Sequence, residues 1–280
     1  ANDAIVSLFQ AANPDTSVPE EMPIYVRLRG VISGTLNQTL GETYSNVITL
    51  PSVKATYEAP DAKFTDNLFL IGSSIQTPWK SWKAIPKVEG LDGNYYGIIY
   101  VPAGGEFKWG TENNDYRGIN RITIDDQAEA GISEGENQNI KVANAGWYTL
   151  HFKGKITEDK KNIDWTLTVY PTKVYILGSS VEMSGTWAFD DAYALTAPAD
   201  KNGKWVSPAF TASAELRAAV KVGDLDWYRT EFTVYKGNLF WRRYDIVNNW
   251  AETEGPDYSV TTQVGQKLYI DFDNYTAEVK

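Results

Sequence analysis

Tryptophans in polar loops are the residues of this sequence best suited to bind a ligand. Trp79 and Trp82 lie in residues 76–83, a polar segment interrupted by a proline, and Trp187 lies in the similarly placed segment 184–187. Loops seldom bury an indole for structural reasons alone. An exposed flat ring can cover the apolar C–H face of a sugar while neighbouring polar groups hydrogen-bond its hydroxyls. Sugar stacking is therefore one interpretation of these tryptophans, and core packing is the other.

A second aromatic residue and a cation accompany the loop tryptophans. Tyr116 lies among amide, carboxylate and guanidinium groups, which supply hydrogen-bond donors and acceptors, and Trp227 lies in the corresponding segment 224–229 of the second copy. The basic candidates for sugar contact are Lys108, Arg117, Lys221 and Arg229. Two rings from different loops with a lysine or arginine would form a cradle for two adjacent sugar units. The alternative for each lysine is a strand position that simply faces solvent.

The remaining aromatic residues favour packing. Alternating strand patterns surround Trp109, Trp147, Trp165 and Trp205, and a large buried ring is the ordinary interpretation there. Residues 239–244 interleave arginines with aromatic residues, a pattern that can bind nucleic acid. The chain carries 26 Lys and Arg against 36 Asp and Glu, a net charge of −10. We therefore interpret residues 239–244 as a strand whose arginines stack on rings or meet acidic neighbours, and we expect no nucleic-acid partner.

Composition excludes several kinds of chemistry. The 280 residues include no cysteine and one histidine, His151, which excludes zinc sites, thiol nucleophiles and His-based triads, so no cofactor is expected. Paired carboxylates hydrolyse glycosides, but no acidic position recurs between the candidate loops. The aspartates at 125–126 and 190–191 are predicted to be solvated turns or, at most, cation ligands. No segment approaches the roughly 20 apolar residues of a membrane span, and no signal peptide is evident, so we expect a soluble chain as given.

An internal repeat predicts the elements that position these residues. Residues 68–74, an apolar strand ending in Gly-Ser-Ser, recur as residues 174–180. A spacing of about 100 residues is that of a whole domain. Short alternating strands separated by Gly, Asn and Pro predict an all-β chain with tandem β-sandwich modules at 63–171 and 172–280, joined almost without a linker. Duplication favours binding over catalysis, because the second binding event becomes intramolecular.

Residues 1–62 are the least periodic part of the chain. A helix is predicted over residues 4–11, with Asn2 and Asp3 as caps, and short strands are predicted at 24–29, 45–50 and 53–57. Three strands with one helix are too few for an independent sandwich, so we interpret this segment as a partial domain.

Several motifs together resemble a known family. The apolar strand ending in Gly-Ser-Ser, the loop tryptophan, the lysine before Gly110 and Gly223, and the closing strands that follow Gly146 and Gly265 resemble the starch-binding modules of the SusE/SusF family, outer-membrane lipoproteins of Bacteroidetes. Residues 44–50 also resemble the end of the immunoglobulin-like domain that precedes such modules. The resemblance implies non-catalytic β-sandwiches in which two aromatic residues and a Lys or Arg hold the glucan.

By this resemblance the first module offers Trp79 or Trp82 with Lys108 and Tyr116, and the second offers Trp187, Lys221 and Trp227. The first module departs from the family pattern in having two loop tryptophans and in the segment 116–118, so another neutral glycan is an alternative to starch. The resemblance further implies a monomer at the bacterial cell surface, held to the outer membrane by a lipid outside this sequence, with a glycan importer complex as partner.

Two classes of function stay open from the sequence, and a third is disfavoured. The preferred hypothesis is a surface protein that binds oligo- or polysaccharide at weak sites whose tandem display raises overall affinity. The alternative is a structural or protein-interaction module whose loop aromatics contact a partner protein. A glycoside hydrolase is the third class, and the absent catalytic constellation disfavours it.

Overall fold

The chain is mostly β and divides into two compact units, Ala1–Asp61 and Ala62–Lys280. The structure is a computed structural model that describes residues 2–13, 21–34, 38–54, 60–181, 187–243 and 249–280. Within the described residues, no helix is both long and apolar enough to cross a membrane.

The N-terminal unit consists of one helix and two separate strand pairs. Its elements are helix α1 (Asn2–Ala12) and strands β1 (Glu21–Val26), β2 (Arg29–Ser33), β3 (Thr39–Tyr44) and β4 (Ile48–Lys54). Strand β1 pairs with β4 and β2 pairs with β3, both antiparallel. The predicted helix is confirmed. The strand expected at 24–29 begins earlier and ends at Val26, and the strands expected at 45–50 and 53–57 are one strand, β4, with residues 55–57 outside the described residues.

The first copy of the repeat forms two sheets that face each other. Its strands are β5 (Asn67–Gly72), β6 (Lys83–Pro86), β7 (Asn94–Val101), β8 (Glu106–Gly110), β9 (Thr123–Asp126), β10 (Ile132–Glu134), β11 (Ile140–Val142), β12 (Gly146–Ile156) and β13 (Ile163–Pro171). The sheet orders are β10-β11-β8-β5-β6 and β7-β12-β13-β9. Leu68, Trp109, Phe152 and Leu167 are fully buried between them, as the alternating pattern of half-buried strands predicts.

The second copy is built on one seven-stranded sheet. Its elements are β14 (Val174–Ile176), β15 (Trp205–Val206), β16 (Ala218–Val220), β17 (Glu231–Tyr235), β18 (Asn238–Trp241), helix α2 (Trp250–Thr253), β19 (Leu268–Asp271) and β20 (Thr276–Val279), in the sheet order β14-β16-β17-β18-β20-β19-β15. Single turns of 3₁₀ helix occur at Ile119–Arg121, Glu136–Gln138, Gly178–Val181, Asp191–Tyr193, Trp227–Arg229 and Pro256–Tyr258. The all-β tandem architecture predicted from the repeat is confirmed.

The two copies share a hydrophobic core. Val88, Tyr96 and Ile98 of the first copy belong to the same buried cluster as the core of the second copy. Trp147 of the first copy contacts Trp205 of the second edge to face, with ring centroids 5.6 Å apart. The two copies therefore form one compact unit, and the boundary at residues 171 and 172 stays a prediction from the sequence.

A buried lysine crosses the same junction. Lys83 of β6 donates hydrogen bonds to the carbonyl oxygens of Phe272 and Asp273 in the second copy, and its Nζ lies 3.9 Å from the centroid of the Tyr275 ring. Burial lowers the pKa of Lys83 to about 7, although the nearby carboxylates of Asp273 and Asp271 act in the opposite direction.

The tryptophans that the sequence predicts to be core residues pack in the core. The arginines of residues 239–243 also make the predicted contacts with rings and acidic neighbours. Trp109, Trp165 and Trp205 are buried, and Trp147 is partly buried against the shared core. In residues 239–243, Arg242 pairs with the buried Glu231 and lies 4.6 Å from the Trp250 ring, and Arg243 lies 4.4 Å from the Phe240 ring. Tyr244 lies outside the described residues.

Candidate functional site

A groove in the second copy brings two of the loop tryptophans together. Its volume is about 520 Å³, and its lining residues are Ser179, Trp187, Ala214, Glu215, Arg217, Trp227 and Asn249. The ring centroids of Trp187 and Trp227 lie 5.3 Å apart at an interplanar angle of 31°. Trp187 is 40% exposed. The pair therefore offers a continuous, slightly bent aromatic surface rather than two separate platforms.

Local backbone geometry holds the two rings in place. Gly178, the first residue of the Gly-Ser-Ser ending of the repeat motif, has a φ of +76°, and a Cβ there would lie 2.5 Å from the Trp187 ring. Only glycine leaves room for the indole at that point. Trp227 begins the 3₁₀ turn Trp227–Arg229, which the backbone bond from the Thr230 amide to the Trp227 carbonyl closes. The Gly-Ser-Ser motif thus positions one ring of the pair.

Arg217 provides the cation of this groove. Its guanidinium carbon lies 5.1 Å from the Trp187 ring centroid and 5.6 Å from that of Trp227. Its Nη1 donates to Glu215 at 3.0 Å, and its Nε donates to Glu231. Because the planar guanidinium of Arg217 stacks on the indole rings and is hydrogen-bonded to carboxylates, its orientation is fixed.

A buried carboxylate lies beneath Arg217. Glu231 in β17 is completely buried and accepts hydrogen bonds from both Arg217 and Arg242, the latter from Nε at 2.6 Å. Burial raises the pKa of Glu231, although the two arginines act in the opposite direction. Glu215 also accepts from the backbone amide of Trp250 at 3.0 Å, which connects the groove to helix α2.

Lys221 and Arg229 do not line this groove. The Leu177 amide donates to the Arg217 carbonyl, whereas the Lys221 amide donates to the Lys173 carbonyl at the opposite end of β14. By this register Arg217, rather than Lys221, occupies the position next to the tryptophans, and a contact of Lys221 with sugar stays a prediction from the sequence. Arg229 donates through Nη1 to the Glu89 carbonyl of the first copy at 2.7 Å, so it joins the two copies.

The first copy carries an equivalent aromatic pair. The ring centroids of Trp82 and Tyr116 lie 5.0 Å apart at an interplanar angle of 57°. Tyr116 is 55% exposed. Trp79, the other loop tryptophan, has a φ of +55° and donates its backbone N–H to the Gly72 carbonyl. Of the two candidates, Trp82 is the one that stands against Tyr116.

Lys108 is the first copy's counterpart of Arg217. Lys108 is the register partner of Ile71, the residue before Gly72, just as Arg217 bonds to Leu177, the residue before Gly178. The Lys108 Nζ donates to the Asn137 carbonyl at 2.7 Å. The two copies thus place a cation at the same point of the same strand pair, a lysine in one and an arginine in the other.

Arg117 points toward a different feature of the first copy. Its Nε lies 2.7 Å from the Asp115 carboxylate, its Nη2 donates to the Thr111 hydroxyl at 3.2 Å, and its guanidinium carbon lies 5.2 Å from the Trp109 ring. Together with Tyr116 it lines a polar basin of about 900 Å³.

Sequence reasoning missed three polar residues that line the second groove, Arg217, Glu215 and Asn249, and the buried Glu231 beneath it. A signal for Arg217 was present, since residues 216–219 repeat the apolar, basic, apolar, small pattern of residues 107–110. The carboxylates gave no local signal, because their roles depend on strand pairing between distant segments. In the part of the chain that the structure describes, no group of three or more His, Cys, Asp or Glu side chains could hold a metal ion.

Comparison with known proteins gives this arrangement its class, that of carbohydrate-binding modules. A family model described as SusF/SusE starch-specific carbohydrate-binding modules matches residues 67–163 and 173–278. The chain belongs to this family. The outer membrane protein SusF of Bacteroides thetaiotaomicron is 28% identical over 246 residues, which are 81% of this chain and 47% of SusF.

The fold comparison agrees with the sequence comparison. The crystal structure of SusF from Bacteroides thetaiotaomicron matches with a TM-score of 0.65 and 26% sequence identity, over 79% of this chain and 48% of that chain. The chain thus spans about half the length of the relatives it matches.

Proposed function

We propose that the chain binds a neutral oligo- or polysaccharide without cleaving it, at one site in each copy. The observation that carries the proposal is the recurrence of an aromatic pair with one exposed ring, Trp82 with Tyr116 and Trp187 with Trp227, together with a cation at the same register of the corresponding strand pair, Lys108 and Arg217. The rings would stack on the apolar faces of adjacent sugars, and the cations would donate to hydroxyls.

An α-glucan of the starch type is the ligand that we propose. The description of the family supports it, and so does the bend of 31° between the two tryptophan rings, because a bent surface fits a curved chain better than a flat one. By its relationship to an outer membrane protein, we further propose that the chain captures polysaccharide at the bacterial outer membrane for a neighbouring importer.

Calorimetric titration of the chain with maltoheptaose tests this function. We expect binding, with no release of reducing ends on prolonged incubation. The double variant Trp82→Ala/Trp187→Ala should lose binding, because loss of one stacking ring costs on the order of 1–3 kcal/mol by analogy with base stacking, or about tenfold to a hundredfold in affinity. Lys221→Ala is the matched control and should bind like the wild type. Undiminished affinity in the double variant, or reducing ends from pure protein, would contradict the proposal.

A further inference from the structure

The first copy has a large polar basin that begins at its aromatic pair. The basin has a volume of about 900 Å³, compared with about 520 Å³ for the groove of the second copy. Tyr116 lines the basin, and its ring also stands 5.0 Å from the ring of Trp82. A ligand stacked on this pair therefore reaches the basin without crossing other protein surface.

The lining of the basin suits hydroxyl groups. Three amide side chains line it, those of Asn120, Gln138 and Asn162. An amide offers donors and an acceptor in one plane, and adjacent sugar hydroxyls require both. Trp165 is a further lining residue that is 5% exposed, so its ring forms part of the basin's wall.

The rim of the basin is rigid next to the aromatic pair. The Asp115 carboxylate accepts from both the backbone amide and the hydroxyl of Thr111 at 2.9 Å, and it pairs with Arg117. These bonds fix the residues on both sides of Tyr116 while its ring stays exposed. A rigid rim lowers the entropy cost of ligand binding.

Basic side chains outnumber acidic ones in the lining of the basin, and the negative charge of the whole protein opposes this local positive excess. Lys63, Arg121 and Lys161 line it together with Arg117, and Asp115 and Asp164 are the lining acids. Arg117 is already paired with Asp115, and the protein as a whole carries a charge of −10, which repels anionic polymers.

We propose that the basin is an extension of the first copy's site, which binds further sugar units of a glucan already stacked on Trp82 and Tyr116. The inference rests on the proposed function and deepens it, since it assigns a longer ligand to the first copy than to the second. Pockets of about 300–1,000 Å³ hold drug-sized ligands, so the basin has room for two or three sugar rings.

Oligosaccharides of two lengths test the extension in the full chain. Trp187→Ala serves as the parent, because it leaves only the first copy's site. We expect Asn120→Ala/Asn162→Ala, added to this parent, to weaken maltoheptaose binding about tenfold, since each lost hydrogen bond contributes about 0.5–1.5 kcal/mol. Maltotriose, which is long enough only for the aromatic pair, should bind unchanged. Both asparagines are exposed, so thermal unfolding should not shift.

The matched control is Asn202→Ala, an exposed asparagine of the second copy, which should change neither affinity. If the double variant binds both lengths like its parent, or loses both equally, the extension is overturned while the proposed function stands. If the parent binds neither maltotriose nor maltoheptaose, both the proposed site of the first copy and its extension are overturned.

Salt and charge distinguish a neutral from an anionic ligand. We expect the affinity of the parent for maltoheptaose to be the same at 50 and 500 mM NaCl, because hydrogen bonds and stacking are screened little. Stronger binding of polygalacturonate than of maltoheptaose, falling with salt, would overturn the inference in favour of an acidic polymer.

Discussion

Glu231 controls the second site although no ligand can touch it. The carboxylate is completely buried, and it binds the arginine of the groove on one side and Arg242 on the other. A buried charge is tolerated only when it is paired and hydrogen-bonded. The orientation of Arg217 therefore depends on Glu231, a residue of β17, the strand that pairs with β16.

Replacement of this carboxylate should cost both stability and affinity. Glu231→Gln keeps the shape but leaves two arginines without the compensating charge, and breaking a buried pair costs about 3–5 kcal/mol. We expect a lower urea midpoint and weaker maltoheptaose binding in the Trp82→Ala background, where only the second site remains. Glu252→Gln, at an exposed position of α2, is the control for both measurements. An unchanged midpoint would show that the arginines do not need the charge.

At the scale of elements, the repeat could be predicted from the sequence. Which residue of one copy is structurally equivalent to which residue of the other could not. Strand β5 and the segment around β14 have the same apolar run and the same Gly-Ser-Ser ending, and these are local properties that the sequence displays. The sequence aligns Lys108 with Lys221 because a glycine follows each lysine two residues later, whereas the register of β14 with β16 places Arg217 opposite Leu177. Register is fixed by pairing between distant segments, which local pattern does not contain.

The shared core escaped prediction for the same reason. Alternation indicates that Tyr96 and Ile98 face inward, but not that they pack on the neighbouring copy. The sequence does point to the rings of each aromatic pair, because ring type and a polar loop are readable along the chain, and the structure places the two rings of each pair close together. Which of Trp79 and Trp82 contacts Tyr116 depends on the fold of the loop.

Strand β15 provides a test of the junction between the copies. Trp205 is 2% exposed and contacts both Trp147 of the first copy and Phe272 of its own. We expect Trp205→Ala to lower the free energy of unfolding by about 3–5 kcal/mol, the usual cost of such a cavity. Calorimetry should show one transition for residues 62–280 shifted to lower temperature. Trp79→Ala, at an exposed loop position, should leave it in place.

If Trp205→Ala instead splits this transition into two, with one copy unaffected, the copies are thermodynamically independent. That outcome would contradict the role that we assign to the shared core.

At the scale of the whole molecule, the junction contains a titratable group. Lys83 has a pKa of about 7 in the folded chain, against 10.5 for an ordinary lysine. Between pH 7 and 10.5 this lysine is protonated in the unfolded chain and deprotonated in the folded chain. The free energy of unfolding should therefore rise with pH across this window, by at most about 1.4 kcal/mol per pH unit from this group. Below pH 7 both states are protonated, and the contribution is constant.

Urea unfolding between pH 6 and 10 measures this effect as a difference between variants. Lys83→Met should have a smaller increase in unfolding free energy over pH 7 to 10 than the wild type. Lys80→Met, on the exposed loop, should retain the wild-type increase. Parallel curves for Lys83→Met and the wild type would show that the lysine keeps its charge at the junction.

The shared core also determines how residues 62–280 rotate in solution. Two domains joined by a flexible linker have separate rotational correlation times, whereas two domains that share a hydrophobic core rotate as one rigid body. Nuclear spin relaxation of backbone amides in the first and second copies should then report a single rotational diffusion tensor, before and after a glucan is added. For a polysaccharide that binds at both proposed sites, the orientation of one site relative to the other would then be fixed before any contact is made.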